Sequence, residues 1–162
     1  MTVLGIDPGY AIVGYGIIDT KPGKTSCRGY GVIRTEAGIP LHIRLSEIYN
    51  DMCEILHSVK PDCVAIEKLF FNNNKTTGID VAQARGVILL AIAQSGIPYY
   101  EYTPAEVKAA VTGYGKAEKR QMMELTRIQL GLTAVPKPDD AADALAMALC
   151  HARSSASLFN RM

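Results

Sequence analysis

Hydrophobic and polar positions along this chain change period several times, and each change marks an element. Residues 2–7 (TVLGID) are an apolar run closed by an acid and followed by Pro8-Gly9, the pattern of a strand and a tight turn. Residues 11–19 (AIVGYGIID) and 27–34 (CRGYGVIR) read as two further strands, with Lys21-Pro22-Gly23-Lys24 as the turn between them. Connections this short predict antiparallel neighbours. Gly14, Gly16, Gly29 and Gly31 lower strand propensity there and suggest close backbone approach by another element. The period then becomes helical: Leu41, Leu45, Ile48, Met52 and Ile55 form a stripe over 41–58. Residues 62–67 (DCVAIE) return to an almost unbroken apolar run, as a buried central strand requires.

A loop (LFFNNNK, 69–75) precedes a long helix that opens on a capping-box-like Thr77-Gly-Ile-Asp80 and stops near Gly96. A fifth strand is expected over 98–102. Thr103-Pro104-Ala-Glu106 combines a cap, an N1 proline and an N3 glutamate, and so predicts a helix start. Gly113 and Gly115 break that helix. Another helix is expected from about Ala117 to Leu130, with Gly131 as its stop, and a last one from near Pro138. The order, three strands followed by alternating helices and strands, predicts an α/β fold: a mixed five-stranded sheet flanked by helices.

Composition narrows the class without naming a function. The chain has 162 residues, 48% hydrophobic and 20% charged, with a formal net charge of +1. That fits one globular domain over 1–162, with a short tail from about 153. A near-neutral total leaves a segregated basic surface open. Cys27, Cys53, Cys63 and Cys150 are scattered with no CxxC pair, against a zinc site or a disulfide scaffold. No signal peptide is legible in MTVLGID, and no apolar run approaches the roughly 20 residues of a bilayer span. A reduced, cytoplasmic protein is expected.

The candidate chemistry lies in four acids. Asp7 and Glu67 each end an apolar run, while Asp140 and Asp143 sit one helical turn apart in PDDAADALA. Acids at the ends of buried strands are unfavourable unless compensated. If the strands of Asp7 and Glu67 lie side by side, the two become neighbours. Four carboxylates together would repel, and two divalent cations would relieve that. Hard oxygen donors suit Mg2+ or Mn2+. Two such ions activate a water and stabilise the leaving oxygen of a phosphodiester. Taken singly, each acid also has a plainer reading: Asp7 as a turn former, Glu67 as a strand-end surface acid, Asp140 and Asp143 as ordinary charges at a helix N-terminus.

Candidates for contact with nucleic acid surround these positions. Phe70 and Phe71 form an aromatic pair beside Glu67 that can stack on bases, with Asn72 next to them. Lys108, Lys116, Lys119 and Arg120 cluster about the glycine turn of GYGKAEKR, and Arg85 lies on the preceding long helix. These can neutralise phosphates or transition-state charge, or else form a solvated, ion-paired helix face.

The motifs GIDPG, AIEKLFFNNN, AQARG, GYGKAEK and DDAADALA, in this order and spacing, resemble the RuvC family of Holliday junction resolvases from about residue 2 to 152. The resemblance implies a ribonuclease H-like fold and a homodimer that makes two symmetric nicks in a four-way DNA junction, leaving 5′-phosphate ends. It implies two Mg2+ or Mn2+ ions held by Asp7, Glu67, Asp140 and Asp143, stacking by Phe70, and backbone contacts by Lys108 and Lys119. The helix at 77–95 matches the family's dimer-forming region, and a RuvA–RuvB branch-migration complex is the implied partner. Asp139 is an additional acid with no role assigned. Two other readings stand beside this one: a non-catalytic junction-binding module, and a related ribonuclease H-like nuclease acting on RNA.

Overall fold

A computed structural model describes residues 1–69 and 75–159 of the chain. Its elements run β1 (Thr2–Asp7), β2 (Ile12–Lys21), β3 (Lys24–Arg34), α1 (Leu41–Val59), β4 (Cys63–Glu67), α2 (Lys75–Ser95), β5 (Tyr99–Tyr102), α3 (Pro104–Thr112), α4 (Lys119–Gln129) and α5 (Asp139–Phe159). The strands form one five-stranded sheet in the order β3-β2-β1-β4-β5. β1 to β3 are joined antiparallel, whereas β4 runs parallel to both β1 and β5. The sheet is mixed and flanked by helices, as the element order predicts.

The period of two in β1 and β4 decides what each face does. Leu4, Ile6, Val64 and Ile66 point to one side and pack with Ile48, Met52 and Leu56 of α1 and with Ala84, Ile88 and Ile92 of α2. Val3, Cys63 and Ala65 point to the other side, against Leu145, Ala148 and Leu149 of α5, with Val107 and Val111 of α3 and Met122 of α4 behind them. Asp7 and Glu67 continue the Val3 and Cys63 series, so both acids emerge on the α5 face.

Most of the predicted elements are present, with local differences. The β2–β3 hairpin is longer than expected: pairing continues through Thr20–Thr25 to Lys21–Lys24. Only Pro22-Gly23 turns, with Gly23 at φ +74°. The polar ends of these strands are exposed and carry no apolar signal. α2 begins at Lys75, two residues before the capping-box-like Thr77. α3 has the full capping box: Thr103 Oγ1 accepts from the Glu106 N–H (3.2 Å), and Thr103 N–H donates to Glu106 Oε2 (2.7 Å).

The glycines of β1 and β2 explain how α5 reaches the sheet. A methyl group at Gly5 would overlap the backbone carbonyl of Ala144, and one at Gly14 would overlap that of Asp140. The helix therefore lies against bare backbone. Gly29, by contrast, has only ordinary contact with Ile17, so close approach is not its reason.

Candidate active site

The site is assembled at the carboxyl ends of two parallel strands and the amino end of one helix. Ile6 pairs with Ile66 in the β1–β4 ladder, which sets Asp7 beside Glu67. On the other side of β1, Asp7 pairs with Gly14, the residue on which Asp140 rests. Asp140 lies in the first turn of α5 and Asp143 one turn further, on the same side of the helix. All four predicted acids thus meet about Asp7.

Their electrostatics show how close that meeting is. Burial, then the charges of Asp143, Glu67 and Asp140, push the Asp7 carboxyl up from 3.8 to about 8, against the pull of Lys119. Burial also raises the Glu67 carboxyl, and Asp143 adds to this. Lys119, a hydrogen bond from Asp7 and the Arg85 charge oppose the rise. Asp143 is raised by burial, in spite of its ion pair with Lys119, whose Nζ stands 2.8 Å from Oδ2. Desolvation pulls the Lys119 ammonium down, but the hydrogen bond and charge of Asp143, with Asp139 and Asp7 behind them, leave it raised.

A buried cluster of carboxyls that raise one another's pKa is suited to a hard cation. Every donor in it is a carboxylate oxygen, the set that fits Mg2+ or Mn2+ rather than zinc. In the side-chain positions seen, no three His, Cys, Asp or Glu side chains among the described residues form a ready ligand set around one point. The Lys119 ammonium lies among the acids instead.

Arg85, expected from sequence among the DNA contacts, is used internally. Its side chain is only 12% exposed, its Nε donates to the Glu67 carbonyl (3.0 Å), and its guanidinium pairs with Glu101 on β5. It braces the strand end that carries Glu67. Lys116, Lys119 and Arg120 are exposed along the loop and start of α4, and Lys108 is half-buried on α3. Phe70, Phe71 and Asn72 lie outside the described residues. Sequence reasoning left Asp139 without a role. Its carboxylate pairs with Lys137 Nζ at 2.9 Å, and its charge raises both Asp143 and Lys119, so it acts on the site's field from the rim. Its place directly before Asp140 is the signal that points to it.

The family model described as "Crossover junction endodeoxyribonuclease RuvC" matches residues 3–151. A protein of that description from Brevibacillus brevis is 54% identical over 153 residues, 94% of this chain and 92% of the relative. One from Desulfitobacterium hafniense is 52% identical over 162 residues, all of this chain and 98% of the relative. Among solved structures, Thermus thermophilus RuvC in complex with Holliday junction substrate superposes with a TM-score of 0.88 at 33% identity, covering 97% of this chain and 96% of that one.

Proposed function

The chain belongs to the RuvC family of crossover junction endodeoxyribonucleases, with a ribonuclease H-like fold, and on that footing we propose that it resolves four-way DNA junctions by paired, symmetric nicks during recombination and repair. The observation that supports this most directly is the meeting of Asp7, Glu67, Asp140 and Asp143 at one buried point, where burial and the neighbouring charges push the Asp7 carboxyl up to about 8. A surface set of unrelated acids has no reason to be crowded in this way.

Two Mg2+ or Mn2+ ions, when bound, supply a water of lowered pKa and charge for the leaving 3′ oxygen. Asp7, Glu67, Asp140 and Asp143 would hold such ions through their carboxylate oxygens, with Asp7 central among the four. Asp7 would do so as the ionised carboxylate, so its proton would have to leave. Lys119, now paired with Asp143, would offset the charge that develops on the phosphate. Lys108, Lys116 and Arg120 track the DNA backbone, Phe70, Phe71 and Asn72 add stacking and polar contacts, and Arg85 keeps the end of β4 in place.

The protein works as a homodimer in this reading, because a two-fold junction is best met by two sites related by a two-fold axis. Ile79 and Leu90, three turns apart on one side of α2, are 55% and 50% exposed in the single chain and suit such an interface. No helix among the described residues is long and apolar enough to cross a membrane. We place the protein in the cytoplasm, as one domain that takes over from a RuvA–RuvB branch-migration complex.

Strand cleavage on denaturing gels, with magnesium, tests the assignment. A mobile-core junction, a linear duplex and an RNA hairpin are compared. Paired nicks in the junction alone are expected, and Asp7→Asn should bind that junction without cutting it. Cutting of the RNA would overturn the substrate assignment. Binding without cutting by the unaltered protein would leave only a junction-binding module.

A further inference from the structure

The loop between α3 and α4 holds an aromatic side chain that neither core uses. Tyr114 is 61% exposed, the highest value of any large hydrophobic side chain among the described residues. Among those residues its hydroxyl makes no hydrogen bond. Scattered exposed apolar groups are common and by themselves mean little. Three further observations set this one apart.

First, the backbone beneath the ring is held fast. Thr112 Oγ1 accepts from the Tyr114 N–H (3.0 Å) and is also within 3.0 Å of the Tyr114 carbonyl and 2.8 Å of the Lys108 carbonyl. The Ala117 N–H donates to the same Tyr114 carbonyl at 3.1 Å. Buried Val111 and Ala117 anchor the loop on either side. Second, Gly113 (φ +82°) turns the chain out of α3, and Gly115 packs on Ala105, so both neighbours of the tyrosine lack side chains that could cover it. Third, the loop joins the basic residues to the acidic centre: Lys108 precedes it, Lys116 lies within it, and Lys119 at its far end pairs with Asp143. Five residues span at most ~18 Å when fully extended, and the turn closed by Ala117 shortens this one. Successive nucleotides lie ~3.4 Å apart along a stacked strand. A phenol ring displayed here stands within a few nucleotides of any phosphate bound at Lys119.

We propose that Tyr114 is a stacking platform for a DNA base beside the cleaved phosphodiester, a binding and positioning residue in addition to the basic side chains around it. This rests on the reading that the protein cuts junction DNA. A rigidly presented aromatic ring loses little conformational entropy when a base covers it, and the flanking lysines draw the strand in without reading sequence. The ring then fixes how far along that strand the carboxylates act.

The chain contains no tryptophan, so Tyr114→Trp introduces a single reporter without background. Junction affinity is measured by anisotropy of labelled DNA, with EDTA present so that no strand is cut, for the unaltered protein and for Tyr114→Ala, Tyr114→Phe and Tyr114→Trp. Tyr114→Ala should weaken binding about 5- to 100-fold, with Tyr114→Phe back to within about twofold. The slope of affinity against salt should stay unchanged, because no phosphate contact is lost. In Tyr114→Trp the indole emission should be quenched at saturation with junction and become less accessible to acrylamide. Unchanged affinity in Tyr114→Ala, or unchanged indole emission on a saturated complex, overturns the proposal. Failure of the unaltered protein to bind the junction would instead overturn the substrate reading. Equal melting temperatures across the set exclude misfolding as the cause of any loss.

Discussion

Removal of one charge at the centre of the site should make the metal-free protein more stable, and the gain should depend on pH in a defined direction. The Asp7 carboxyl titrates near 8 in the folded chain and near 3.8 when unfolded. Its stabilising contribution is fully present below about pH 4 and is lost as pH rises through 8, because the folded state must give up a proton that it holds tightly. The full span corresponds to ~6 kcal/mol, an upper bound, since water and side-chain rotation relieve part of the repulsion. About 1–3 kcal/mol should be observable, which for a domain of this size is a shift of about 3–10 °C in melting temperature. The assay is a thermal melt of Asp7→Asn and unaltered protein in EDTA from about pH 3.5 to 9. Near pH ~3.5 residue 7 is largely neutral in both the folded and the unfolded chain and the two curves should nearly coincide, whereas by about pH 5 the unfolded carboxyl is ionised and the gap has begun to open. At pH 8.5 to 9 the asparagine variant should melt higher. Magnesium should then raise the unaltered protein and leave the variant where it was. A difference that fails to grow with pH would refute the reasoning, since it would mean that Asp7 is not the crowded carboxyl described.

Three other perturbations test separate parts of the structure. Gly14→Ala should displace the first turn of α5 from β2, cost about 1–3 kcal/mol in chemical denaturation, and reduce cleavage far more than junction binding. Lys119→Met should lower the cleavage rate about 100-fold in single-turnover assays while junction affinity falls much less. Thr103→Ala removes the α3 cap and should lower the melting temperature by about 2–4 °C, an effect of ~1 kcal/mol, with cleavage unchanged at 25 °C.

Much of this site is legible before any coordinates, for a geometric reason. A period of two fixes the faces of β1 and β4, so an acid in register with Val3 or Cys63 must emerge with them, and a spacing of three fixes Asp140 relative to Asp143. What sequence leaves open is the set of contacts that depend on how separate elements cross. Lys119 is legible as a cation for phosphate, but only the packing of α4 on α5 brings it to Asp143. Arg85 has the composition of a DNA contact. That α2 lies across the end of β4, with Glu101 of β5 waiting beyond, is a tertiary fact, and it converts the residue to a brace. The β2–β3 hairpin ends are hidden for another reason: their residues are polar and pack against neither core, so no apolar pattern extends over them.

The order in which the four acids occur also bears on how the enzyme comes into being. Asp7 lies in the first strand and Glu67 in the fourth, but the helix that supplies Asp140 and Asp143 is the last element of the chain, and it packs against β1 and β2, among the first. During synthesis the early strands leave the ribosome well before their partner helix exists. A nascent or truncated chain therefore carries only half of the carboxylates and leaves the apolar face of its sheet uncovered. In the proposed assignment of the four acids, a chain that ends before α5 should therefore cut no junction, and activity should arise only when that helix has closed on β1 and β2.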